Sequence, residues 1–320
     1  MSEGEFEFIA NRLRPLAAAS PAALGLGDDA AVLDPPPGRQ LVLTKDAMIE
    51  GVHFLPDDPA AQVAQKLLRV NLSDLAAMGA EPLGYLLAIA RRPDLADEWL
   101  AAFCAGLAED QAEFGIALLG GDTTSTPGPV ALSLTALGTV PTGAALLRSG
   151  AMPGDDVFVS GTLGDAALGL RVLRGEIKPG AAATVYLADR YRRPQPRVAL
   201  GAALRGLASA CIDVSDGLAA DLGHILEASN VGAEVWADAV PLSPAAMDQP
   251  GARMAALTGG DDYELLFTAA AARRPEIERI GRELALPLSR IGRIDAMPEL
   301  RVLDPTGNRL PLERTGWTHF

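Results

Sequence analysis

Leu147-Arg148-Ser149-Gly150-Ala151-Met152-Pro153-Gly154-Asp155 is the stretch that decides how the chain is divided. Gly, Pro and Ser crowd into it between two β-like runs, and such a cluster of turn formers marks a boundary rather than an element. Upstream, Val130–Val140 is expected to form a long strand; downstream, Val157–Ser160 opens a second series. At 320 residues the chain has room for about two domains, each with its own core. The expected domains are therefore residues 1–147 and 148–320.

In the first part, Ser2-Glu3-Gly4-Glu5 has the form of a capping box opening a short amphipathic helix through Leu16. Ala30–Leu33 and Leu41–Thr44 are expected to be paired strands joined by the turn Asp34-Pro35-Pro36-Pro37-Gly38. A helix is expected after Asp57-Asp58-Pro59, running to Met78 and stopped by Gly79. Tyr85–Ala90 is expected as a strand, Leu95–Phe114 as a helix, and Ile116–Leu119 as a short strand ending in Gly120-Gly121-Asp122.

In the second part, helices are expected over Asp165–Arg174, Val198–Leu207 and Leu218–Ser229. Strands are expected at Ala210–Asp213 and near residues 233–237, 264–268, 289–294 and 300–303. Strands and helices mix in both halves, and several neighbouring strands are too close for crossover helices. The expected class is α+β, with mixed or antiparallel sheets in two domains.

The 49% hydrophobic and 21% charged content is ordinary for a globular protein, while a net charge of −14 supplies no basic face for nucleic acid. No apolar stretch is long enough to span a bilayer and no signal peptide is evident, so a cytoplasmic protein is expected. Cys104 and Cys211 sit in apolar runs and are expected as buried thiols.

The remaining signal is acidic. Asp residues cluster beside glycines and hydroxyls in Gly27-Asp28-Asp29, Thr44-Lys45-Asp46, Asn71-Leu72-Ser73-Asp74, Gly120-Gly121-Asp122, Asp213-Val214-Ser215-Asp216 and Gly259-Gly260-Asp261-Asp262. Like charges at short range repel unless a cation sits among them, and hard oxygen ligands suit Mg²⁺, which commonly bridges to phosphates. The pattern points to a nucleotide-using enzyme that has neither a P-loop nor a complete dinucleotide glycine loop.

Each cluster has a plainer alternative. Asp28-Asp29 also suits a solvated turn, Asp46 a charged strand end, and Ser215 or Asp216 an N-cap for the helix that follows. Arg148 is either a phosphate contact or a surface arginine. His224 falls on an apolar helix face and reads as a core histidine. Asn71 and Asp74 share one face of an otherwise apolar helix and need a partner there, which a metal supplies. Lys45 alternates to the strand face opposite Asp46. The echo between residues 71–77 and 213–220 is either an old duplication or chance.

Taken in order, these motifs resemble the thiamine-monophosphate kinase family, of the superfamily that includes aminoimidazole ribonucleotide synthetase. The resemblance is carried by Gly4-Glu5-Phe6, Leu26-Gly27-Asp28-Asp29-Ala30-Ala31, Gly51-Val52-His53-Phe54, residues 71–80 and Gly120–Thr124. It continues through Arg148–Asp155, Ile212–Leu218, Asp262-Tyr263-Glu264-Leu265 and Gly316–Phe320. It implies a two-domain fold, a homodimer paired through the N-terminal domains, ATP as co-substrate and thiamine phosphate as acceptor. Asp29, Thr44, Asp46, Asp74, Asp122, Asp213 and Asp216 then correspond to Mg²⁺ ligands. Gly121, Asp122, Arg148 and Ser215 correspond to nucleotide contacts, and His53, Asp261 and Trp317 to contacts with thiamine phosphate. Lys45 departs from a usual Thr or Ser, and Asp261 from a usual Glu. No catalytic base is expected: a phosphate monoester with a second pKa near 6 is already largely dianionic at neutral pH.

Overall fold

The computed structural model of the chain describes residues 4–312 and Gly316, with the backbone alone for Glu5 and Phe6. The polypeptide forms two compact units, one of residues 1–75 and 80–143, the other of residues 76–79 and 144–320.

The first unit opens with the helical turns α1 (Glu5–Phe8) and α2 (Arg14–Ala17), joined by a π-helical turn at Ile9–Leu13. It continues with β1 (Arg39–Ile49), α3 (Ala60–Ala77), β2 (Glu81–Arg91), α4 (Asp97–Phe114), β3 (Leu118–Ser125) and β4 (Ala131–Pro141). The sheet order is β1-β4-β2-β3; β4 runs antiparallel to both neighbours and β3 parallel to β2. Leu67, Leu68, Leu72 and Leu75 of α3, Phe103 and Leu107 of α4, and Tyr85 and Ile89 of β2 are all fully buried. Arg69 joins α3 to α4 through two 2.8 Å bonds to the buried Asp110 carboxylate. Gly115, with φ 65°, ends α4 in the left-handed conformation that glycine tolerates best.

The second unit contains β5 (Asp155–Ser160), α5 (Asp165–Leu173), α6 (Ala181–Arg192), α7 (Val198–Leu204), β6 (Ala210–Asp213), α8 (Leu218–Ser229) and β7 (Gly232–Trp236). It ends with α9 (Ala252–Thr258), β8 (Leu265–Ala270), α10 (Arg274–Glu283), β9 (Leu288–Asp295) and β10 (Leu300–Leu303). Its sheet order is β10-β7-β9-β5-β8-β6, antiparallel except for the β10–β7 pair. β5 is buried along its whole length because both faces are covered. Val157 and Val159 pack with Leu218, Leu222 and Ile225 of α8. Phe158 points the other way, stacked on Phe267 and packed with Leu200, Leu204 and Ile277.

The α+β reading with mixed sheets is thus observed. Several elements differ from expectation. Residues 30–33 are not a strand: Val32 donates to Ala22 O, and β1 pairs with β4 instead along all eleven residues. β3 runs through Gly120-Gly121-Asp122 instead of ending before them. α7 stops at Leu204, short of the expected Leu207. Helices α6, α9 and α10 carried no usable signal, since α9 is only seven residues and α10 buries just Ile277 and Ile280. The capping residues Ser2 and Glu3 lie outside the described residues. Both cysteines are buried free thiols. No helix among the described residues is long and apolar enough to cross a membrane.

Candidate metal and phosphate site

The acidic residues of the first unit gather in two groups. Alternation along β1 sends Thr44 and Asp46 to one face and Lys45 to the other. Lys45 is exposed and donates to Ser133 Oγ at 2.8 Å, so its ammonium has no part in the Asp46 group. Asp74 joins from α3, its carboxylate accepting a hydrogen bond from Thr44 Oγ1. Asp46 is pushed up to about 6, first by burial and then by the charge of Asp74. One turn back on α3, Asn71 is fully buried; its Nδ2 donates to Leu67 O at 2.9 Å, while its Oδ1 has no hydrogen-bond partner. Two carboxylates that repel and a hydroxyl form an all-oxygen donor set, with an orphaned amide oxygen one turn away on the same helix, and a hard divalent cation satisfies such a set. The residues therefore fit Mg²⁺.

The second group faces a cavity of about 540 Å³. Asp28, Asp29, Gly121 and Asp122 form a polar side, and Ile9, Leu13, Leu26, Leu33 and Leu137 supply apolar walls. Gly121 is dictated by its neighbour: a Cβ there would lie 1.8 Å from Leu87 O on β2. His53 is half-buried in the turn after β1. Its Nδ1 accepts the Ile49 N–H at 3.0 Å, which places the proton of the neutral ring on Nε2.

In the second unit, β6 delivers Asp213 to a loop that leads into α8. The expected N-cap by Ser215 or Asp216 is not what forms. Gly217, with φ 134°, occupies the N-cap without a side-chain bond. Asp221, in the first turn of α8, instead accepts the N–H groups of Ser215 (3.1 Å), Asp216 (3.1 Å) and Gly217 (2.9 Å). Burial pushes Asp221 up to about 6, against the pull of the Gly217 amide and its neighbours. The loop is thereby shaped from inside the helix, leaving the Ser215 hydroxyl and the Asp216 carboxylate uncommitted to capping.

Asp261 is tied to this loop by its N–H donating to Ser215 O at 2.8 Å, and Tyr263 by a matching bond to Val214 O. Both residues are left-handed, with φ 70° and 51°. His224 is exposed, not a core histidine, because α8 buries Leu218, Leu222, Ile225 and Leu226 and position 224 falls off that stripe. Its ring lies within 4.8 Å of the Asp216 and Asp221 carboxylates. Arg148 is exposed between β4 and β5. Trp317 lies outside the described residues.

Sequence reasoning missed Asp221, whose only signal was an aspartate in a helix's first turn. It quoted Asp262 and Glu264 within motifs but gave no role to either; both are buried and alternate with Asp261 and Tyr263.

The chain matches the AIR synthase related protein N-terminal domain over residues 27–140 and the corresponding C-terminal domain over residues 152–304. It is 48% identical over 297 residues to the thiamine-monophosphate kinase of Caulobacter vibrioides, covering 87% of this chain and 83% of that protein. The crystal structure of thiamine-monophosphate kinase from Stenotrophomonas maltophilia K279a is 46% identical, with a TM-score of 0.87 over 97% of this chain and 99% of that one. AaThiL, solved in complex with AMPPCP and TMP, is 31% identical, with a TM-score of 0.79 over 99% of this chain and 97% of its own. Similarity of this extent, on one fold and along nearly the whole length, has one consequence: the chain belongs to the thiamine-monophosphate kinase family.

Proposed function

We propose that the protein transfers the γ-phosphate of ATP to thiamine phosphate in an Mg²⁺-dependent, in-line reaction, giving ADP and thiamine diphosphate in the last step of thiamine diphosphate biosynthesis. The observation that carries this reading is the Thr44–Asp46–Asp74 group with the orphaned Asn71 Oδ1 behind it. In the first unit Asp29, Thr44, Asp46, Asp74 and Asp122 hold Mg²⁺. In the second, Asp213 and Asp216 do so. Bound Mg²⁺ supplies charge neutralisation between two polyanions, which matters in a protein of net charge −14.

The cavity of the first unit suits a nucleotide, with apolar walls for a base and Gly121 and Asp122 toward the phosphates. Arg148 and Ser215 add phosphate contacts. His53, through its Nε2–H, together with Asp261 and Trp317, contacts the acceptor. The phosphate of the acceptor is its own nucleophile at neutral pH, so the chain's work is to bind, align and exclude water rather than to remove a proton.

We assign ATP and Mg²⁺ binding and dimerisation to residues 1–147, with residues 148–320 as the second α/β domain of a cytoplasmic homodimer. Support for self-association comes from the outer face of the first sheet, where Leu41, Leu43, Ile49 and Leu86 are all exposed. Changing Leu43 to Asp should turn a dimer into a monomer on size-exclusion chromatography; an unchanged elution volume would remove this face from consideration.

The deciding assay incubates the protein with ATP, Mg²⁺ and thiamine phosphate and separates the products. Thiamine diphosphate formed one-for-one with ADP, and abolished by chelation, is the expected result. ADP without thiamine diphosphate would redirect the search to another acceptor.

A further inference from the structure

Asp261 is taken here as the acceptor contact assigned under the proposed function. We propose that Asp262 and Glu264 are positioning residues for the acceptor. They clamp residues 261–264 so that Asp261 and Tyr263 are held outward in a conformation the segment would not adopt unaided.

The alternation is plain in burial: Asp261 and Tyr263 are half-exposed, whereas Asp262 and Glu264 are 1% and 0% exposed. On the outer side the Tyr263 hydroxyl lies 3.4 Å from Asp261 Oδ1. Both outer residues have positive φ, a conformation that non-glycine residues keep only when their surroundings enforce it.

The inner side supplies that enforcement. Asp262 Oδ2 accepts the Gly164 N–H at 2.6 Å and its Oδ1 the Ala166 N–H at 3.1 Å, fastening the segment to the start of α5. Glu264 Oε2 accepts from Ser160 Oγ (2.5 Å) and Arg197 Nε (2.6 Å), and Oε1 from Arg190 Nη2 (3.0 Å) and Arg197 Nη2 (2.5 Å). Arg190 also donates to Asp262 O at 3.2 Å, so one guanidinium grips both residues. The seat of Glu264 requires a glycine opposite: a Cβ on Gly161 would lie 2.3 Å from Oε1. The backbone completes the clamp, because Val214 donates to Glu264 O at 2.8 Å and a Cβ on Gly260 would lie 2.5 Å from Ser215 O.

A hydrogen-bonded charge network with no apolar purpose, built around a strained pair of outward residues, is the arrangement expected of preorganisation. The inner carboxylates act through Asp261 and Tyr263 and do not touch the acceptor.

The experiment measures kcat and the KM of each substrate for Asp262→Asn, Glu264→Gln and Asp261→Ala, with melting temperatures alongside. Both inner variants should raise the KM for thiamine phosphate about tenfold and leave the KM for ATP within about twofold. Ser160→Ala removes one donor to Glu264 and the acceptor of the Leu265 N–H, without stranding a charge. It should give the same selective rise at about threefold, and it decides the matter if the other inner variants do not fold. A parallel rise in both KM values, or a fall in kcat with both KM values unchanged, overturns the proposal. So does an unchanged KM for thiamine phosphate in the inner variants when Asp261→Ala raises it. If Asp261→Ala itself leaves that KM unchanged, the acceptor reading of Asp261 fails, and the proposal goes with it.

Discussion

The two units place aspartates for the same kind of work by opposite means. In the first, Thr44, Asp46 and Asp74 stand on a long strand and a long helix, and secondary structure alone fixes them. In the second, Ser215, Asp216 and Asp261 stand on loops, and other carboxylates fix the loops: Asp221 gathers three amides and Asp262 two. The first arrangement leaves charges facing one another: Asp46 is pushed up first by burial and then by the charge of Asp74. The second spends its carboxylates on backbone N–H groups, which pull against the burial that raises both Asp221 and Asp262. Removing Asp74 should therefore cost function first, and removing Asp221 structure first.

The largest expected effect follows from that difference. Asp74→Asn keeps an oxygen for the Thr44 hydroxyl but removes the charge beside Asp46, so turnover should fall roughly 10³-fold. Its melting temperature without divalent cations should hold or rise, because a repulsion has gone. A variant that melts earlier would show that Asp74 is a structural residue and break the contrast. Asp221→Asn should behave in the reverse order. Leaving three loop amides with a weaker acceptor should cost about 1–3 kcal/mol of stability, read by denaturant unfolding. Turnover should drop only as far as Ser215 and Asp216 lose their placing. Wild-type stability in this variant would mean that the loop is held by its ladder to residues 261–264 alone.

The same contrast explains what could be read from the sequence. Thr44 and Asp46 follow from alternation, and Asn71 with Asp74 from helical spacing, so the first group was visible as local pattern. The α+β class and most of the strands followed from apolar runs of strand length, though not the order of the strands in either sheet. The second group depends on partners far along the chain: Glu264 meets Arg197, Arg190 and Ser160 across 67, 74 and 104 positions. No local rule reaches that far. The N-cap rule failed at Ser215 for a related reason. Gly217 turns at φ 134° and presents the loop amides to Asp221, so the acceptor sits inside the helix. The short strand expected at residues 30–33 did not form although β1 stands at the edge of its sheet: Val32 bonds back to Ala22 O instead.

The smallest expected effect tests whether Asp262, unlike the Asp213 and Asp216 assigned to Mg²⁺, is independent of any cation. Burial pushes Asp262 up to about 8, against the Gly164 and Ala166 amides and Arg190, which pull it down. In the unfolded chain the same group titrates near 3.8. Below both values the proton is bound in either state, and Asp262 makes no pH-dependent contribution. Between them the folded protein keeps the proton while the unfolded chain releases it, so raising the pH favours unfolding and stability falls. Above about 8 both states have lost the proton and the fall ends. Asp262→Asn cannot titrate, so the wild-type minus variant difference in unfolding free energy isolates this group. That difference should decline by about 1 kcal/mol between pH 6 and 7, one proton's worth of slope. The decline should be the same in EDTA and in Mg²⁺, since Asp262 faces amides and an arginine rather than a metal. A flat difference would mean that Asp262 is ionised throughout, its two amide bonds and Arg190 outweighing burial. A slope that appears only in EDTA would mean that a cation reaches Asp262 as well as the Asp213 and Asp216 assigned to Mg²⁺.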